Sequence, residues 1–167
     1  MAETAEAKTY DGKDRRRRYI MKLTPHFSLE EMIVSQEAAR LGIDNSLPEH
    51  LFLNVIKTCN MLEKIRTLLD APIIVSSGYR SPALNKSIGG SPASHHMIGL
   101  ACDFIAPSFG TPLDVCNKIR VSDIQYDQLI HEFGRWVHIG LDDNPRRQDL
   151  TATKDLEGKT VYSLGHS

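Results

Sequence analysis

The chain has 167 residues, enough for one domain with a proper core and short for two. An apolar share of 41% and a charged share of 25% are those of a soluble globular protein. The net charge of -1 removes any general electrostatic argument for a nucleic-acid partner, and no apolar run approaches the roughly 20 residues a membrane span requires.

Residues 1–20 read as a polar, disordered tail carrying Arg15 to Arg18 in a row, and residues 21–167 as a single domain. The start of the chain lacks the apolar stretch of a secretory signal. Cys59, Cys102 and Cys116 are odd in number and show no thiolate-cluster spacing, so synthesis in a reducing cytoplasm is expected.

Ser28-Leu29-Glu30-Glu31 has capping-box form and opens a short helix. A second helix runs from Ser35 to Leu41 and stops at Gly42. Leu51, Val55, Leu62, Ile65 and Leu69 recur near helical spacing, with Phe52 and Ile56 widening the stripe, which predicts a helix over 48–69 packed on a sheet. Pro72 to Ser76 reads as a strand, and Ser81 to Ser87 as a helical turn or two closed by Gly89-Gly90. Thr111 caps a helix that runs to about Ile119 with Leu113 and Cys116 inward. Tyr126 to Phe133 and Trp136 to Leu141 are two strands joined at Gly134-Arg135, and 149–154 with 160–164 form an edge hairpin. The sum is an α+β fold, a mainly antiparallel sheet with helices on one face and a site on the other.

Ser76 to Phe104 is dense in Gly, Ser, Pro and Asn and poor in long apolar side chains, so it serves a site rather than a core. It ends in His95, His96 and Asp103. From Gly99 the pattern has period two: Leu100, Cys102 and Phe104 face the core, and Gly99, Ala101 and Asp103 form a pocket floor. In the last strand, Val137, Ile139 and Leu141 oppose Trp136, His138 and Gly140. Two imidazoles and a carboxylate form a catalytic zinc set with a fourth position open. His96 and Asp103 are separated by seven residues and share a metal only if the chain turns between them, which Gly99 permits. Cys102 as nucleophile fails because alternation turns it inward. A triad of Ser94, His138 and Asp103 fails because no nucleophile elbow surrounds Ser94.

The pattern Ser94-x-His96-x-x-Gly99-x-Ala101-x-Asp103, preceded by Gly78-Tyr79-Arg80-Ser81-Pro82 and followed by Trp136-Val137-His138, resembles the M15 zinc peptidases over roughly residues 27–141. That family includes D-alanyl-D-alanine carboxypeptidases and phage endolysins, and the hedgehog signalling domain is similar to it in fold. The resemblance implies a zinc ion held by His96, Asp103 and His138, with His96 rather than His95 as the first ligand. It implies a carboxylate base. Many members carry it three positions before the last histidine, where this chain has Arg135; others carry it six before, where this chain has Glu132, the candidate here. Arg80 would bind a substrate carboxylate or stabilise the oxyanion, and Ser94 and His95 would contact substrate. The substrate would be peptidoglycan stem peptides, cut as by a D,D-carboxypeptidase or an L-Ala-D-Glu endopeptidase. A monomer is expected, made without a signal in a host cytoplasm and acting on the wall after release or within a virion. The alternative is a non-catalytic zinc domain used for binding or assembly. A hydrolase for a soluble D-dipeptide is a third reading.

Overall fold

Two local signals set the entry to the structure, a computed structural model that describes residues 20–167. The expected polar tail lies, but for Ile20, outside the described residues. Ser28 caps helix α1 (Leu29–Ile33) in a complete capping box with Glu31, and Ser35 caps α2 (Gln36–Leu41), which Gly42 ends in the left-handed conformation. A 3-10 turn over Glu49–Leu51 leads into α3 (Phe52–Leu69), so the expected helix at 48–69 begins with a tighter turn after Pro48.

A mixed sheet of six strands carries the rest: β1 (Ile74–Ser77), β2 (Ala101–Ile105), β3 (Gln128–Glu132), β4 (Trp136–Gly140), β5 (Gln148–Lys154) and β6 (Thr160–Leu164), in the order β1-β2-β4-β3-β5-β6. β3 and β5 pair in parallel, and the other four neighbouring pairs are antiparallel. The short α4 (Pro82–Ser87) follows β1, a 3-10 turn (His95–Ile98) precedes β2, and α5 (Pro112–Arg120) follows it. The β3–β4 turn centres on Phe133 and Gly134, both with positive φ, one residue earlier than the sequence suggests. Arg135 N–H closes it on the Glu132 carbonyl at 2.9 Å, a mirror-image turn whose twist suits a hairpin. No helix among the described residues is long and apolar enough to cross a membrane.

One face of the sheet is the core. Val55, Cys59, Leu62 and Ile65 of α3 and Val115, Cys116 and Ile119 of α5 pack on Cys102, Phe104, Val137 and Ile139. Each such side chain taken from water contributes about 1.5–3 kcal/mol. In α5 it is Val115 and Ile119, with Cys116, that are buried, while Leu113 stays half-buried. Period two along β2 and β4 therefore leaves the opposite face to Asp103 and His138, which are cross-strand partners.

Helix α3 does a second job. Thr58 Oγ1 donates to the Gly99 carbonyl at 2.8 Å, and Asn54 Nδ2 donates to the Ile98 carbonyl at 2.9 Å. The turn carrying the two histidines is thereby fastened to the most buried helix. Gly99 closes that turn at φ 72°, and a Cβ there would lie 2.8 Å from Val55 Cγ2. Gly99→Ala is expected to cost roughly 2–4 kcal/mol, from left-handed strain added to overpacking, read as a fall in the urea midpoint.

Candidate metal centre

Four segments meet at the centre of the open face. A bulge between Val75 and Ser77 brings Ser77 opposite Asp103, and the register continues the row through His138, Ile130, Leu150 and Leu164. His96 reaches the same point from the 3-10 turn. His96 Nε2 lies 3.1 Å from Asp103 Oδ1 and 3.2 Å from His138 Nδ1, and His138 Nδ1 lies 2.8 Å from Asp103 Oδ1. All three residues are buried, at 1%, 3% and 8% exposure, so their polar atoms have little water to turn to. Among the described residues they form a group of donors able to hold a metal ion.

The donor set fits a divalent cation. Ligands about 2.0–2.1 Å from a tetrahedral centre stand roughly 3.3–3.4 Å apart, close to the separations found here. The His96 tautomer fits as well: its Nδ1–H donates to the Gly78 carbonyl at 2.6 Å, which leaves Nε2 with a free lone pair. His138 presents Nδ1. The two histidines thus use different ring nitrogens, a detail that spacing in sequence does not disclose.

Arg80 organises the carboxylate. Its Nη2 donates to Asp103 Oδ2, its Nε donates to Ser77 Oγ at 2.9 Å, and its backbone N–H donates to the His96 carbonyl at 3.1 Å. Oδ1 is left for the centre. Asn45 fastens this segment from below: its Nδ2 reaches the Ile33 and Tyr79 carbonyls at 2.7 and 3.2 Å, and its Oδ1 accepts from Ser81 N–H at 2.7 Å. Gly78 is pressed on α1, where a Cβ would stand 2.4 Å from the Met32 carbonyl oxygen.

The electrostatics follow from burial and pairing. Burial would raise the Asp103 carboxyl, but the His96 and His138 imidazoles outweigh it and hold it far below the usual carboxylate range. Burial lowers His96 against the pull of Asp103. For His138 burial acts in the same direction, but the hydrogen bond and charge of Asp103 prevail and raise it. Burial and the shared Asp103 anion thus move the two imidazoles in opposite directions.

The centre opens into a cleft of about 840 Å³. Glu132 lines it from β3, where its register partner is Trp136 on β4, and Trp136 Nε1–H donates to Glu132 Oε2 at 2.7 Å. Burial raises the Glu132 carboxyl, and the neighbouring Asp103 anion pushes the same way. A carboxylate so tuned is better matched to accepting a proton near neutrality. Ser94 lines the cleft just ahead of the 3-10 turn, without capping it through its hydroxyl. His95 lines it too, with Nδ1 buried and unpartnered. Gln128 also lines the cleft, whereas His131 on the same strand faces away and bonds the Ser167 carbonyl oxygen at 2.7 Å. Cys102 lies in the core, burial pushing its thiol well up. Sequence reasoning passed over Ser77, Asn45 and Asp127; only the unusual density of small polar residues around 76–81 hinted at the first.

A comparison with curated proteins returned no match. The profile of the family described as Peptidase M15 matches residues 25–140, which include the three donors, Arg80 and Glu132. The match spans well over half of the molecule, and the Ser94-x-His96 turn and the His138 strand within it are segments that converge in space. The chain belongs to the M15 peptidase family.

Proposed function

We propose that this protein is a zinc-dependent peptidase that hydrolyses a bond in peptidoglycan stem peptides, of D,D-carboxypeptidase or L-Ala-D-Glu endopeptidase type, on a hedgehog-like fold. The observation that carries the reading is the convergence of His96 Nε2, Asp103 Oδ1 and His138 Nδ1 beside a cleft that also contains Glu132. A structural zinc site is commonly closed by four protein ligands, whereas three donors at the foot of an open cleft suit a catalytic one.

Held there by His96, Asp103 and His138, zinc would lower the pKa of a water molecule toward neutrality and polarise a carbonyl as a Lewis acid. The residues of the chain supply the rest. Glu132 accepts the proton of the attacking water and returns it to the leaving amine. The Trp136 indole holds one Glu132 oxygen, which leaves the other to take the proton. Arg80 keeps Asp103 aimed, and the Gly78 carbonyl fixes His96 in the ligating tautomer. Ser94 and His95 border the substrate.

The biological setting we infer is a phage lysin or a virion-associated enzyme, made in a host cytoplasm and reaching the wall on release, acting as a monomer. The second reading is a zinc domain of the same fold used for binding or assembly; Glu132 in the cleft favours the enzyme. Mass spectrometry of muropeptides separates them. Purified sacculi digested with the metal-loaded protein are expected to yield products with one new terminus, absent with a chelator and restored by added zinc. Stoichiometric zinc with intact muropeptides from every wall chemotype would leave the binding domain as the answer.

A further inference from the structure

Resting on that reading, we infer that the cleft contains an anion subsite, built by Arg146 on a buried Asp127, that recognises a carboxylate of the substrate peptide beside the scissile bond. Arg146 lies beyond residue 140, where the family match ends.

The geometry is that of a prepared receptor. Asp127 is 1% exposed. Arg146 Nε donates to its Oδ1 at 2.8 Å and Nη2 to its Oδ2 at 2.5 Å, while the Arg146 backbone N–H adds a third bond to Oδ1 at 3.1 Å. A buried carboxylate thus holds the guanidinium as a fork, and the Arg146 side chain is still 57% exposed and lines the cleft. Its Nη1 hydrogens remain for a ligand, and a planar fork already fixed in place suits a carboxylate.

Two neighbours strengthen the assignment. His95 Nδ1 is buried without a hydrogen-bond partner among the described residues and lies 4.0 Å from Asp127 Oδ2. A Cβ on Gly140 would lie 3.5 Å from His95 Nδ1 and 3.6 Å from His138 Nε2, which puts the ring next to a metal donor. Gln128 and Gln148, joined at 2.8 Å, form the floor between. Arg146 therefore sits at one end of the cleft and Glu132 toward the other, with the metal row between them. The cleft's other cation at that far end, Lys154, is engaged by the Thr160 hydroxyl at 2.8 Å and the Phe133 ring at 5.1 Å. Arg80, the guanidinium expected from sequence to meet substrate, is committed to Asp103. Arg80 leaves its Nη1 unused as Arg146 does, but its side chain is 16% exposed against 57%, so among the described residues lining the cleft Arg146 is the guanidinium more open to an incoming anion.

A stem pentapeptide, L-Ala-γ-D-Glu-L-Lys-D-Ala-D-Ala, offers two carboxylates, one at its end and one on D-Glu, and the arms of the test distinguish them. Calorimetry would follow its binding to the zinc-loaded full chain carrying Glu132→Gln, which preserves the cleft and stops turnover, alongside the C-terminal amide and the D-Glu α-amide. One amide is expected to bind roughly 10–100-fold more weakly than the acid. The terminal amide losing affinity would mark a carboxypeptidase; the D-Glu amide would mark an endopeptidase. Adding Arg146→Met should erase the difference. Because that change strands the Asp127 carboxylate, the Asp127→Asn/Arg146→Met pair is made as well, and Lys154→Met should leave the preference intact. If the acid-over-amide preference survives in both Arg146 variants, or if neither amide weakens binding, the subsite is wrong while the peptidase reading stands. If wild-type protein neither binds nor cleaves the pentapeptide or sacculi, the peptidase reading falls and the subsite with it.

Discussion

Glu132→Ala is expected to lower kcat by roughly 10²–10⁴-fold, about 3–5 kcal/mol of barrier, while zinc stoichiometry and the thermal midpoint stay near wild type. The expectation follows from position. Glu132 is absent from the group of metal donors, so its removal leaves the cation held. It lines the same cleft, two register pairs along β3–β4 from His138, and the Trp136 indole fixes one oxygen. A loss shared equally by kcat and kcat/KM would identify a group acting in the transition state; a change confined to KM would make Glu132 a substrate contact instead. Loss of zinc in the variant would overturn the assignment outright. Glu132→Gln separates charge from shape: the amide keeps a partner for Trp136 but cannot accept the proton, so it should be about as slow as the alanine variant.

The elements were readable where one rule governed them. The capping box at Ser28, the Thr111 cap with Pro112 at the start of α5 and the apolar stripe of α3 each follow from residues a few positions apart, and all appear in the structure. Alternation in β2 and β4 likewise told Cys102 and Phe104 from Asp103 and Val137 from His138. What escaped was set by distant parts of the chain. The bulge at Val75–Ser77 depends on what β2 presents across from it, and the parallel placement of β5 beside β3 depends on how the 141–147 loop crosses over. The contact of Arg80 with Asp103 escaped for the same reason. A guanidinium after a strand has the same local sequence whether it awaits a ligand or grips an aspartate 23 residues on, and only the fold decides. Arg146 and Asp127 belong here too, since their pairing bridges 19 residues with no spacing rule behind it.

Arg80→Met should therefore show itself first in the metal. Removing the guanidinium takes away the Nη2 contact to Asp103 Oδ2 and the Nε bond to Ser77, and leaves a 3%-exposed carboxylate with the histidines alone. Groups that orient a ligand in this way typically account for 10–100-fold in affinity, so zinc dissociation measured against a chelator of known strength is expected to weaken by about that factor. A buried anion deprived of its cation is also destabilising, by about 3–5 kcal/mol before any cation binds, so the melting temperature of the metal-free variant should fall more than that of the loaded one. Activity then sorts the two roles of the residue. If Arg80 serves only Asp103, saturating zinc should restore kcat; if it also stabilises the oxyanion, a deficit of roughly 10²–10³-fold will persist at full metal occupancy. Unchanged zinc affinity would contradict the arrangement, because the guanidinium that the substitution removes reaches the donors through the Asp103 carboxylate oxygen it holds.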